Sequence, residues 1–223
     1  MNKLLHDKKF ILFYSILVLL FGILGISLEI ARALYDDNFG ASLFVTFLYF
    51  TTQSNLLLTI TLLLFLLKNR HKKSLNYLAF ITLVNITITG IVFHVLLVPY
   101  MEKIGFIHHI LHTVNPILYI LFYYFIFDKK LPLNKFWIAL IYPLVFMASV
   151  YIFIEPLFGD LIENTIPNFE SARYVYPFLD PRNYERETLG LIAFNLGLLA
   201  PLFTVFSYLL LFLKQKINTK IHN

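Results

Sequence analysis

Two groups of side chains in this chain could do chemistry together. Thr51, Thr52, Gln53, Ser54 and Asn55 follow one another inside a run otherwise dominated by Leu and Phe. His108, His109 and His112 open a second apolar run, with Asn115 behind them, and His94 stands near the end of a third. A Thr hydroxyl is a weak nucleophile until a base takes its proton, and His, with a pKa of about 6.5, is the usual base. Thr and His at matching depth therefore permit acyl transfer, with Gln53, Ser54, Asn55 or a second His donating hydrogen bonds to the oxyanion. The same imidazoles permit another use, because His94, His108, His109 and His112 could ligate zinc or a haem iron. The i, i+4 pair His108 and His112 suits a single metal. Against it, no carboxylate lies deep beside them and the His-Glu-x-x-His signature is missing, so neither metal nor cofactor is expected. A third use needs no chemistry: the polar side chains could line a cavity that merely holds a lipid, as in a regulatory or lipid-binding membrane protein. With zero Cys, thiol nucleophiles and thiolate metal sites are excluded.

The elements that must position these groups cross a membrane. Hydrophobic residues make up 59% of the 223 residues and charged residues 14%, against about 45–50% and 25% in soluble domains. The apolar residues fall in runs too long for a soluble core of this size, which excludes the soluble-enzyme, nucleic-acid-binding and disordered classes. The fold class is all-α, a single polytopic bundle of six transmembrane helices over 10–33, 40–67, 75–98, 107–127, 136–154 and 188–213. The first is too long for a signal peptide, its apolar run of about 19 residues exceeding the roughly 7–15 of a signal h-region. Thirteen of the 18 basic residues, among them Lys3, Lys68, Arg70, Lys130 and Lys220, fall on one side of these spans with only two carboxylates, and the other side carries an acidic excess. Basic residues stay inside, so both termini are expected in the cytoplasm, and in a bacterial cell the membrane would be the plasma membrane. The basic excess is thus a topology signal and implies no nucleic-acid partner. Oligomeric state has no signature here. Internal repeats are not visible, and the cytoplasmic halves are nearly all apolar, which counts against a permeation path.

Intramembrane polar residues must find partners, so they are the default functional candidates. The apolar residues of the second span supply roughly −5 to −9 kcal/mol of insertion free energy, enough to carry the five polar ones. Thr51, Ser54 and Asn55 share a helical face by i, i+3, i+4 spacing. Along straight helices Thr51 lies roughly 16 Å and His112 roughly 8 Å below the outer ends, both in the outer half. In the first span Glu29 and Arg32 fall on the stripe of Gly22 and Gly25, which reads as a packing face with an ion pair at the membrane boundary. The long connection 155–187 carries Pro156, Pro167, Pro177 and Pro181 with aromatic and acidic residues, and is expected to pack back as a cap.

Three short motifs, in order, add a resemblance. Phe50-Thr51 followed by Gln-Ser-Asn-Leu, Gly105-Phe-Ile-His-His-Ile-Leu-His112 with Pro116 beyond, and Val175-Tyr-Pro-Phe-Leu-Asp180 resemble the androgen-induced gene / androgen-dependent TFPI-regulating protein family, whose bacterial relatives are Pr6Pr-type membrane proteins. The likeness covers about 130 residues, and the span count agrees. It implies an intramembrane threonine hydrolase that cleaves fatty acid esters of hydroxy fatty acids, with Thr51 as nucleophile and His112, second of a His-x-x-His pair with His109, as the essential His. Two departures stand out: Thr52 offers a second hydroxyl next to Thr51, and Pro116 follows the His pair four residues on rather than five. The expectation is therefore a six-helix hydrolase drawing lipid carboxylic esters from the bilayer, with Thr51 and His112 catalytic. Thr52, Gln53, Ser54, Asn55, His94, His108, His109, Asn115 and Tyr176 are expected to support the site or bind substrate.

Overall fold

The computed structural model describes residues 7–67, 72–101, 103–129, 131–167, 169 and 171–221. Lys3, Lys68, Arg70 and Lys130, which the orientation argument used, lie outside the described residues. Most of the described residues are helical, and none of them forms a strand. Five helices are long and apolar enough to cross a membrane: α1 (Lys8–Leu34), α4 (Lys73–Leu97), α5 (Phe106–Ile126), α6 (Leu133–Thr165) and α7 (Glu187–Ile217). A bent pair, α2 (Phe39–Leu48) and α3 (Phe50–Leu66), passes the same test when its halves are taken together, for up to six in all.

That pair corrects the expected continuous helix over 40–67. At Tyr49 the backbone turns extended, with φ −73° and ψ 134°, and the two halves meet at 76°. Kinks usually mark Pro or Gly, and neither is present, so the sequence carried no sign of this one. The polar run explains how the break is tolerated. Gln53 Nε2 donates to the carbonyls of Phe47 at 3.0 Å and Leu48 at 3.4 Å, which the end of α2 leaves without helical partners. Depth arithmetic along a straight helix therefore does not apply to Thr51, which stands in the first turn of α3.

A second correction concerns α6, which runs eleven residues past 154 through the helical segment Glu155–Thr165. Pro156 reads as a helix breaker in the sequence, but the π turn Val150–Ile154 precedes it. Pro116 likewise follows a π turn at Ile110–Val114. A widened turn shifts the carbonyl that a proline ring would otherwise strike and leave unbonded, so the helix continues.

Packing is closest around α4, where Thr82 to Gly90 is buried without interruption. The face of α1 carrying Ser15, Val18, Gly22, Gly25, Glu29 and Ala33 is buried. A Cβ at Gly22 would come within 2.7 Å of Thr59 Oγ1, and one at Gly25 within 2.8 Å of Leu111 Cδ2, so both glycines are demanded by close helix approach. Lys214 of α7 is buried and donates from Nζ to the carbonyls of Tyr123 (2.6 Å), Tyr124 and Phe127, capping the end of α5.

After α6 the connection folds back as a series of short turns. Arg173 pins it to α6 through Glu155 at 2.8 Å, Asp160 at 2.5 Å and Glu163 at 3.0 Å. Val175, Tyr176, Leu179 and Asp180 are buried.

Candidate functional site

Two cavities meet at the start of α3. One, of about 330 Å³, is the more polar, and Glu29, Arg32, Thr52, His108 and His112 are among the residues lining it. The other, of about 110 Å³, is walled by apolar side chains of α4, α6 and α7, such as Val92, Leu144, Phe146 and Phe203. Thr51 and Tyr176 line both.

The break at Tyr49 is what puts Thr51 there. In the first turn of a helix the N–H groups have no carbonyl a turn behind them. The N–H of Thr51 instead donates to Tyr176 Oη at 3.3 Å, and Thr51 Oγ1 lies 3.4 Å from the same oxygen. The Thr51 carbonyl accepts from Ser54 Oγ at 3.0 Å and Asn55 Nδ2 at 2.9 Å. Thr52 is buried beside it on the polar cavity.

His112 sits in the π turn of α5 and is 6% exposed. Its ring stacks on Phe93 at 3.8 Å between centroids and lies parallel to His108 at 6.3 Å. Among the described residues, Nδ1 of His112 has no hydrogen-bond partner. Buried nitrogens are rarely left so. Close packing of α4 makes room for this turn: a Cβ at Gly90 would stand 3.0 Å from the His112 carbonyl oxygen.

Several expected roles change. Gln53, Ser54 and Asn55 line neither cavity, so none of them donates to an oxyanion there. Gln53 holds the broken end of α2 and accepts from Tyr142 Oη at 2.6 Å. Ser54 Oγ pairs with Thr89 Oγ1 at 2.7 Å. Asn55 Nδ2 reaches the Leu111 carbonyl at 3.3 Å, and Asn115 Nδ2 donates to Asn55 Oδ1 at 2.7 Å. These side chains tie α3 to α4 and α5. His109 is exposed and lines neither cavity, so it does not partner His112. The π turn lengthens the local repeat, which keeps the residue four back in line and rotates the residue three back away. His94 is also exposed, with Nε2 3.0 Å from Thr113 Oγ1. The four imidazoles are thus split, and among the described residues no group of three or more His, Cys, Asp or Glu could hold a metal.

Glu29 and Arg32 form the expected ion pair, 2.7 Å long, but it faces the polar cavity, with the Glu29 side chain only 7% exposed. Their place beside His108 and Thr51 was not legible, because a carboxylate on a glycine stripe signals packing as readily as a site. Tyr49 also joins the cavity wall, brought there by the break itself.

No family model matches the chain, and neither a curated protein nor a solved structure matches it.

Proposed function

We propose that the chain is an integral membrane hydrolase of lipid carboxylic esters, with Thr51 as nucleophile and His112 as base. One observation carries this reading: Thr51 stands where an apolar and a polar cavity meet, and His112, its Nδ1 unpaired, lines the polar one. An ester lying across Thr51 would place its acyl chain among the apolar side chains and its leaving alcohol beside His108 and His112. Thr51 Oγ1 attacks the carbonyl carbon while His112 takes its proton. The tetrahedral adduct collapses, the alkoxide leaves with that proton, and water, activated by His112, releases the acid from acyl-Thr51. Fatty acid esters of hydroxy fatty acids are the candidate substrates, on the strength of the motif resemblance to the androgen-induced gene / androgen-dependent TFPI-regulating protein family. Both cavities would open to the outer half of the bilayer, with the termini in the cytoplasm.

A lipid-holding role without chemistry is the competing reading, and one observation favours it: the Thr51 hydroxyl meets Tyr176 rather than His112. Turnover separates the two. Purified protein in lipid nanodiscs is expected to hydrolyse long-chain carboxylic esters. Thr51→Ala and His112→Ala should each lose roughly 10²–10⁴-fold in rate, while Thr52→Ala retains it. Full activity in a correctly inserted Thr51→Ala protein would end the nucleophile assignment.

A further inference from the structure

We propose that Tyr176, delivered by the connection after α6, is the oxyanion donor of this site, its hydroxyl polarised by the backbone N–H of Thr51. The proposal rests on the hydrolase reading above. It starts from a vacancy in that reading, since Gln53, Ser54 and Asn55 are engaged in holding α2, α4 and α5 and reach neither cavity. Tyr176 places its hydroxyl 3.4 Å from Thr51 Oγ1 and lines both cavities.

Its oxygen accepts the Thr51 N–H, which leaves its own proton free to donate on the cavity side. The oxyanion of an adduct at Oγ1 lies only two bonds from that atom. A hydroxyl now 3.4 Å from Oγ1 can therefore come within the distance at which oxyanion donors act, about 2.7–3.1 Å. The N–H of Thr51, by donating to that hydroxyl, strengthens it as a donor, and it lies at the positive end of the α3 dipole, whose field favours negative charge. The unpaired Nδ1 of the buried His112, on the same cavity, is an independent sign that this space takes a polar ligand.

The connection is built to hold that hydroxyl in place. Val175, a β-branched residue, has φ 68°, a conformation such residues adopt only when their surroundings enforce it. The Tyr176 ring stacks on Phe178 at 5.3 Å and meets Tyr49 edge-on at 5.7 Å. Burial, partly offset by the hydrogen bonds from Thr51, pushes the Tyr176 hydroxyl up to about 12, so it stays protonated across any working pH.

In the step itself the Oγ1–C bond forms, the carbonyl π pair moves onto oxygen, and the Thr51 proton passes to His112. Tyr176 donates its hydrogen bond to the oxyanion while the Thr51 N–H stays on Tyr176 Oη, and neither transfers a proton. The test is Tyr176→Phe, which keeps the ring contacts and deletes the hydroxyl, with Tyr174→Phe as a control in the same connection. Two ligands distinguish the roles: a long-chain trifluoromethyl ketone, whose adduct carries an oxyanion, and the matching alkyl amide, which forms none. Tyr176→Phe should lower kcat and ketone affinity by about 10²-fold, leaving KM and amide affinity within twofold. Equal loss of both ligands would make the residue structural and overturn the proposal. Unchanged kcat and ketone affinity would overturn it while leaving the Thr51 hydrolase standing. Wild-type protein that neither turns over esters nor captures the ketone would remove both.

Discussion

Asn55 shows how much of the candidate site is carried by side chains that never touch it. It is fully buried, and its Nδ2 group spans the carbonyls of Thr51 and Leu111, the neighbour of His112. One amide thus fixes the Thr51 turn relative to the His112 turn, and Asn115 completes the bridge from α5. Asn55→Ala leaves two carbonyls and the Asn115 amide short of partners, and a buried polar group left unpaired costs about 1–3 kcal/mol. The variant should lose that much stability, read as a lower midpoint of thermal unfolding in nanodiscs, and lose esterase activity with it. A network of this kind explains what could be read at this scale and what could not. Thr51 and His112 are visible in the sequence because polar groups in apolar spans need a reason. Asn55 and Ser54 carry the same signal for a different reason, the tying of helices, and no property of the residues separates the two. His109 was misplaced because a π turn, invisible in the sequence, resets the helical register.

At the scale of elements, the break at Tyr49 and the folded connection converge on one point. Without the break, the Thr51 N–H would be committed to a helical carbonyl, and without the connection Tyr176 would not be there to take it. The five polar residues could be seen in the sequence. The 76° turn they accommodate could not, since it uses neither Gly nor Pro and is stabilised by Gln53 from within. The connection is latched by Asp180, which accepts from Arg182 N at 2.9 Å and from Nη2 at 2.8 Å. Burial works against ionisation of Asp180, but the Arg182 hydrogen bonds outweigh it and hold the carboxyl below its ordinary value of 3.8. A depressed carboxyl stabilises the fold above the unfolded-state value, and that contribution is lost as pH falls through the folded-state value. The latch should therefore hold at neutral pH and weaken only in acid below 3.8. Amide hydrogen exchange across 171–187 measured on both sides of that value checks it, and exchange that instead rises between neutral pH and about pH 5 would show that another group governs the connection.

On the scale of the whole molecule, hydropathy was the easiest property to read, because about 20 apolar residues per crossing leave few alternatives in a lipid solvent. The all-helical, multi-span class follows from it, and the structure agrees, with five helices long and apolar enough to cross and a bent pair that makes up to six. Which end faces the cytoplasm is proposed from charge alone. The absence of Cys makes this simple to test with single cysteines. Glu185 and Lys216 are both exposed, one in the connection and one at the end of α7. A membrane-impermeant maleimide applied to intact cells should label Glu185→Cys and spare Lys216→Cys, and the reverse pattern would invert the proposed orientation.

The most direct measurement is to treat native membranes with a fluorophosphonate and map the modified residue by mass spectrometry. The expected result is a single phosphonylated residue, Thr51, with the adduct lost in Thr51→Ala and His112→Ala and kept in Thr52→Ala. An adduct on Thr52, or a well-folded wild-type protein that takes up no probe, would contradict the assignment of Thr51 as an activated nucleophile.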